Sequence, residues 1–333
     1  MCGKIKLKND DSGQSDVTSH KPKKKFSGSL KLLGHLGALV VMAAWGSSFV
    51  FTKVLMVDGG FTPIETYTYR FFGAYLLLLV LSFKKIFSNS WRDELAFLVS
   101  GICCGSLYFI LENYALKNTT TGNVSLLASI SPIFTTLLVA VLYRQKIGIG
   151  VIMGSIFAFF GVACVIFNNG FGIEIHPAGD LLALMAAFSW AIYSIVVKRL
   201  LPLYNTFFIT RKLFFYGVLS SIPLLMLQGE PYHFNLIFDM AQPKYLMNFL
   251  FLIVFCSCLA YIIWNEVMKI LGSVMSNNYI YLQPLVTLVV AYFVFDERIY
   301  LIGFVGCALI IGGLVISDKW DAYRDKLKSR RPD

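Results

Sequence analysis

The chain has 333 residues, of which 57% are hydrophobic and 14% charged, and its 29 Lys and Arg against 19 Asp and Glu give a net charge of +10. Soluble domains carry about 25% charged and about 45–50% apolar residues, so a water-facing surface around a chain of this composition is excluded, whereas lipid contact removes the conflict. The basic excess lies at both ends and in short connectors, which excludes a folded nucleic-acid-binding face and fits the sidedness of a membrane protein.

Residues 1–30 are polar and carry Lys4, Lys6, Lys8, Lys21, Lys23, Lys24 and Lys25, and they read as a disordered basic cytoplasmic tail. The apolar run after Lys31 is too long for a cleaved signal peptide and leads into further runs. A bilayer-spanning helix needs about 20 mostly apolar residues. In chain order the candidates are Leu32–Leu55, Ile64–Phe83, Leu95–Leu116, Thr119–Leu142, Ile147–Phe167, Gly179–Val197, Thr206–Leu227, Leu246–Met268, Leu271–Phe295 and Tyr300–Ile316. The expected fold class is an all-α integral membrane protein with ten transmembrane helices. The second and seventh candidates are weakest, because Glu65, Arg70, Arg211 and Lys212 interrupt them. Residues 318–333 read as a second basic cytoplasmic tail. Threading the spans puts most connector Lys and Arg on the side of both termini, leaving Lys117, Lys244 and Arg298 opposite, so both termini are expected in the cytoplasm. All cysteines but Cys2 lie in apolar runs and read as small buried hydrophobes, Cys256 and Cys258 being too close and too dry for a metal.

The chain repeats itself. At an offset of 152, Pro132 meets Pro284, Asn113 meets Asn265, Lys117 meets Lys269, Thr135 meets Thr287 and Gly154 meets Gly306. At slightly different offsets Trp45 and Lys53 meet Trp190 and Lys198, and Arg70 meets Arg211. The expected units are two five-helix repeats, 31–168 and 178–317. An odd number of spans per repeat makes the second enter the membrane from the opposite side. Two inverted folds have near-equivalent outward and inward forms, the basis of alternating access. This favours a carrier of a small-molecule substrate over a membrane sensor or enzyme, which would need a signalling domain or a catalytic constellation.

These residues resemble the drug/metabolite transporter superfamily, specifically two tandem EamA-type domains. The resemblance rests on Ala44-Trp45-Gly46-Ser47-Ser48-Phe49, Tyr69-Arg70-Phe71 and Ser131-Pro132-Ile133-Phe134 in the first half. In the second it rests on Ser189-Trp190-Ala191, Tyr261-Ile262-Ile263-Trp264-Asn265, Leu282-Gln283-Pro284-Leu285 and Asp296-Glu297-Arg298. The first half departs from the pattern, with Gln145-Lys146 where an acid usually precedes the base. The resemblance implies a multi-pass location in the inner (plasma) membrane and transport of small metabolites such as amino acids, with export the expected direction. It also implies a pathway surrounded by the third, fourth, eighth and ninth spans. A nucleotide-sugar or phosphorylated-solute carrier of the same superfamily is the alternative.

Ionisable groups inside a span cost about 2.5–3.5 kcal/mol, so each needs a reason. Arg70 and Arg211 either attract an anionic substrate or tie helices through backbone carbonyls. Asn113 and Asn265 are substrate-contact candidates, and Glu112 and Glu266 beside them are candidates for gating or coupling, against ordinary polarity at helix ends. Pro132 and Pro284 bend their helices and free carbonyls, for gating or for packing. Asn277, Asn278, Tyr281 and Gln283 share a polar face expected to point at a cavity rather than lipid. Trp45 and Trp190 are candidate cavity walls. Gly150, Gly154, Gly303, Gly306, Gly312 and Gly313 permit close helix packing and leave a homodimer open. His35, His176 and His233 lack metal-ligand spacing, no nucleotide-binding pattern occurs, and no cofactor or metal is expected.

Overall fold

A computed structural model describes residues 28–82, 85–118, 121–144, 147–166, 177–295 and 301–328. Cys2 and most of the amino tail, Lys84, Gln145, Lys146, His176, Asp296-Glu297-Arg298 and the last five residues lie outside the described residues. Among the described residues the structure is all-helical, with no strand.

The helices are α1 (Gly28–Val57), α2 (Pro63–Leu81), α3 (Trp91–Asn118), α4 (121–143), α5 (Ile149–Ile166), α6 (Pro177–Leu200), α7 (Thr206–Leu227), α8 (Pro243–Leu271), α9 (273–295) and α10 (Leu301–Lys328). A single turn, Phe234–Ile237, lies between α7 and α8. Among the described residues six helices are long and apolar enough to cross a bilayer: α1, α3, α4 from Val124, α6, α7 and α8. Ile149–Cys164 and Leu301–Ser317 are shorter apolar segments. The first half of α2 is polar, and α9 is broken midway. Helix α10 continues through residues 318–328, where a tail is expected from the sequence.

Local chemistry sets the ends. Thr62 caps α2 in a reciprocal box with Glu65, and Pro63 opens the first turn, where its missing N–H costs nothing. Ser90 caps α3 and Asn205 caps α7. Arg144 ends α4 in the left-handed region, at φ 47°. Gly272, at φ 82°, separates α8 from α9, so that α9 starts at Ser273 rather than at the Leu271 expected from hydropathy.

The interiors of four helices are irregular at matched places. α3 widens to a π turn at Ile102–Ser106, where Gly105 leaves helical geometry at φ −111°, ψ −105°. α8 widens likewise at Leu252–Leu259. α4 stops at Ala128 and restarts at Ser131, and α9 tightens over Tyr279–Leu282 and restarts at Gln283. The two restarts are 152 residues apart (283 − 131), each with proline second in the new helix, where it displaces the hydrogen bonds of the turn before it.

Polarity is inverted relative to a water-soluble domain. Leu36, Val40, Phe72, Phe160, Leu219 and Phe304 are exposed, while Glu65, Arg70, Asn265 and Asn277 are buried. That is the distribution lipid demands, since an unpaired polar group costs several kcal/mol in hydrocarbon. α5 and α10 pair tightly through their glycines. A Cβ on Gly161 would lie 2.7 Å from the Gly306 carbonyl oxygen, and one on Gly313 would lie 2.5 Å from that of Gly154. These stripes are used within the chain, except that a Cβ on Gly312 meets nothing within 4 Å. The start of α1 and the later part of α10 lie on one face, here the near face: His35 bonds Tyr279 of α9, and the adjacent Asn278 bonds Ser317 of α10. The ends of α1 and α3 and the start of α2 lie on the far face.

Candidate functional site

Four aromatic rings meet at the centre. Trp45 of α1 lies 5.2 Å from Trp190 of α6, edge to face, and 5.3 and 5.2 Å from Tyr261 and Trp264 of α8. Edge-on pairs of this kind contribute about 0.5–1.5 kcal/mol beyond their buried area. The widened turns supply the polar partners. The Trp45 indole N–H donates to the Cys256 carbonyl at 2.9 Å. The Tyr261 hydroxyl donates to the Cys104 carbonyl at 2.9 Å, and the Ser189 hydroxyl to the Cys103 carbonyl at 2.6 Å. A π turn breaks the regular carbonyl ladder, and here side chains from other helices take up the freed oxygens.

Beside this cluster lies a small pocket lined by Trp45, Ser48, Tyr108, Glu112, Trp190 and Gln283, among others. Its free volume is about 20 Å³, room for a single water, so the centre is nearly closed in this conformation. The Tyr108 hydroxyl donates to the Glu112 carboxylate at 2.8 Å.

Arg70 stands behind the pocket wall. Its Nε donates to the Ser257 hydroxyl at 2.8 Å. Its guanidinium lies 5.0 Å from the centre of the Phe109 ring, which also lines the pocket, and 5.1 Å from that of Phe71. The residue is 3% exposed, and its Nη2 is buried with no hydrogen-bond partner.

The other sequence candidates divide between the pocket and the scaffold. Trp45, Trp190, Glu112 and Gln283 line the pocket together. Asn277 sits one layer behind, accepting from the Trp190 indole at 2.9 Å and donating to the Ser273 carbonyl at 2.7 Å. Asn278 donates to Ser317 on α10, and the Tyr281 hydroxyl is buried with no hydrogen-bond partner. Asn113 donates to the Pro63 carbonyl at 3.0 Å, fixing α3 to the start of α2. Asn265 has both ends of its amide engaged, by Tyr193 at 3.2 Å and Thr210 at 3.0 Å. Glu266 is half exposed and accepts from Thr206 and Lys269. Arg211, the sequence partner of Arg70, does not share its environment. Its guanidinium donates to the Ser82 and Lys85 carbonyls, closing the end of α2. Pro132 and Pro284 start the second pieces of α4 and α9.

Sequence reasoning passed over several neighbours of the pocket. Tyr108 precedes Glu112 by four residues and Ser48 follows Trp45 by three, so helical spacing alone could have flagged both. Ser257 carried no such signal. A second cluster lies on the far face. Buried Glu65 accepts from the Thr62 N–H at 3.0 Å, the Tyr69 hydroxyl at 3.0 Å and the His233 N–H at 2.7 Å, with His233 Nδ1 at 3.0 Å. It pins the α7–α8 connector to the start of α2.

The sequence profile of the EamA-like transporter family matches residues 32–167 and again 177–317. An "uncharacterized transporter" of Archaeoglobus fulgidus is 26% identical over 85% of this chain and 96% of its own length. One from Clostridium kluyveri is 23% identical over 89% and 96%. A "probable terminal-alkyne amino-acid exporter" of Streptantibioticus cattleyicolor is 27% identical over 68% of this chain and 74% of its own. One solved crystal structure superposes with a TM-score of 0.68 at 19% identity, covering 88% of this chain and 97% of that one, which establishes likeness of fold.

Proposed function

Since the chain belongs to the EamA-like transporter family, we propose that it is a secondary carrier that exports small carboxylate-bearing metabolites, amino acids among them, by alternating access. The reading takes the protein as ten spans in two inverted five-helix repeats, in the inner (plasma) membrane with both termini cytoplasmic. Matched irregularities support the repeat: widened turns in α3 and α8, and proline restarts 152 residues apart in α4 and α9.

The observation that carries the substrate class is Arg70. A buried donor left unpaired costs about 1–3 kcal/mol, and more when charged. Arg70 keeps such a donor at Nη2, beside a pocket walled by rings. A carboxylate entering the pocket would offset that cost, and the rings would hold the apolar part of the solute. Glu112, which accepts from Tyr108, lines the same pocket. The name of the Streptantibioticus relative agrees with an amino-acid cargo and with export.

The test is reconstitution of the full chain in proteoliposomes, with efflux measured for amino acids, neutral amines and nucleotide sugars. Saturable movement of an amino acid is expected. Movement of nucleotide sugars alone would favour the other substrate class, and no movement of any solute would end the carrier reading.

A further inference from the structure

Resting on the carrier reading, we propose that the far face holds a second solute site, an antechamber selective for anionic amino acids. Its walls are the end of α1, the turn into α2, the end of α3 and the α7–α8 connector, and its volume is about 280 Å³. Three charged side chains line it: Lys53, Lys117 and Glu230. All three are exposed, and among the described residues none has an ion-pair partner. Lys244 on the same face, in contrast, lies 3.8 Å from Asp58.

The antechamber shares two walls with the central pocket. On α1, Phe49 lines the centre and Lys53, four residues on, lines the antechamber. On α3, Glu112 lines the centre and Leu116, four residues on, lines the antechamber. Four residues rise about 6 Å along a helix, so the two spaces lie one above the other on the same helices. A solute leaving the centre toward the far face passes this volume.

The charges define the occupant. Two ammonium groups and one carboxylate complement a solute with two carboxylates and one ammonium, the pattern of an acidic amino acid. A concave site lined mainly by one sign of charge concentrates ions of the other. Cationic side chains are sparse on this side of the sequence, so two unpaired lysines at one cavity stand out from their background.

The experiment is calorimetric titration of the purified full chain with L-glutamate, L-glutamine and cadaverine. Glutamate is expected to bind more tightly than glutamine, and cadaverine not to bind. Combining Lys53→Gln with Lys117→Gln is expected to weaken glutamate by about fivefold to tenfold, as two exposed charge contacts would. Combining Lys53→Arg with Lys117→Arg should restore it. Both sites are exposed, so the elution profile should stay that of the parent. Equal binding of glutamate and glutamine, no glutamate binding, or an unchanged Gln variant would each overturn the antechamber. Transport of a neutral solute alongside any of these leaves the carrier reading standing. Glutamate binding as expected, without transport of any solute, sinks the carrier reading alone.

Discussion

Replacing Arg70 by Gln separates two roles that a buried arginine can have. Its Nε bond to Ser257, at 2.8 Å, involves a charged donor, and such bonds contribute about 1.5–3 kcal/mol. A solute carboxylate on the unpartnered Nη2 would make a bond of the same class. At about 1.4 kcal/mol per factor of ten, its loss predicts a KM for the carboxylate solute raised about 10- to 100-fold. Stability should change little. Loss of the Ser257 bond is destabilising, and removal of a buried, incompletely paired charge offsets it. The expected result for Arg70→Gln is therefore a raised KM with a melting temperature close to the parent's. Arg70→Lys keeps the charge but cannot reach Ser257 and the solute together, so it should recover only part of the affinity. Ser257→Ala should raise KM less than Arg70→Gln, because it frees the guanidinium without removing it. The assay is efflux from proteoliposomes with thermal melting of the same preparations. A folded Arg70→Gln protein with parental KM would refute the reasoning.

Arg211→Ala should give the opposite pattern. It removes the donor that closes α2, so the melting temperature should fall, by about 1–3 kcal/mol of stability, while KM stays at the parental value. Gly161→Ala forces a methyl against backbone of α10, which should cost about 1–3 kcal/mol and leave KM unchanged, read by melting and efflux together. Trp190→Phe and Asn277→Ala should each destabilise by about 1–2 kcal/mol, and in combination by less than their sum, because both remove one hydrogen bond at 2.9 Å. Additive losses in chemical denaturation would place the two residues in separate networks. Glu65→Gln should loosen the α7–α8 connector, seen as faster hydrogen exchange around His233, since the carboxylate accepts from both the backbone N–H and the ring of that residue.

The chain by itself determined its solvent, most of its helices and the two breaks at proline. Hydropathy is a sum over single residues, so long apolar runs report burial in lipid whatever packs beside them. Pro132 and Pro284 act on their own backbone, so the restarts in α4 and α9 were legible too. Trp45, Trp190, Glu112 and Gln283 were readable as pocket candidates because few such side chains occur in apolar spans. What only the tertiary structure decided is which polar residues line the pocket and which tie helices together. Arg70 and Arg211 occupy matched places in the repeat, yet one meets Ser257, 187 residues away, and the other meets carbonyls at the end of α2. Asn113 and Asn265 match as well, and both are spent on fixing neighbouring helices. A hydrogen bond depends on two groups at once, and the partner here comes from a distant helix. Repeated sequence therefore yields unequal environments once the halves pack against each other, and position along the chain carries no record of that pairing.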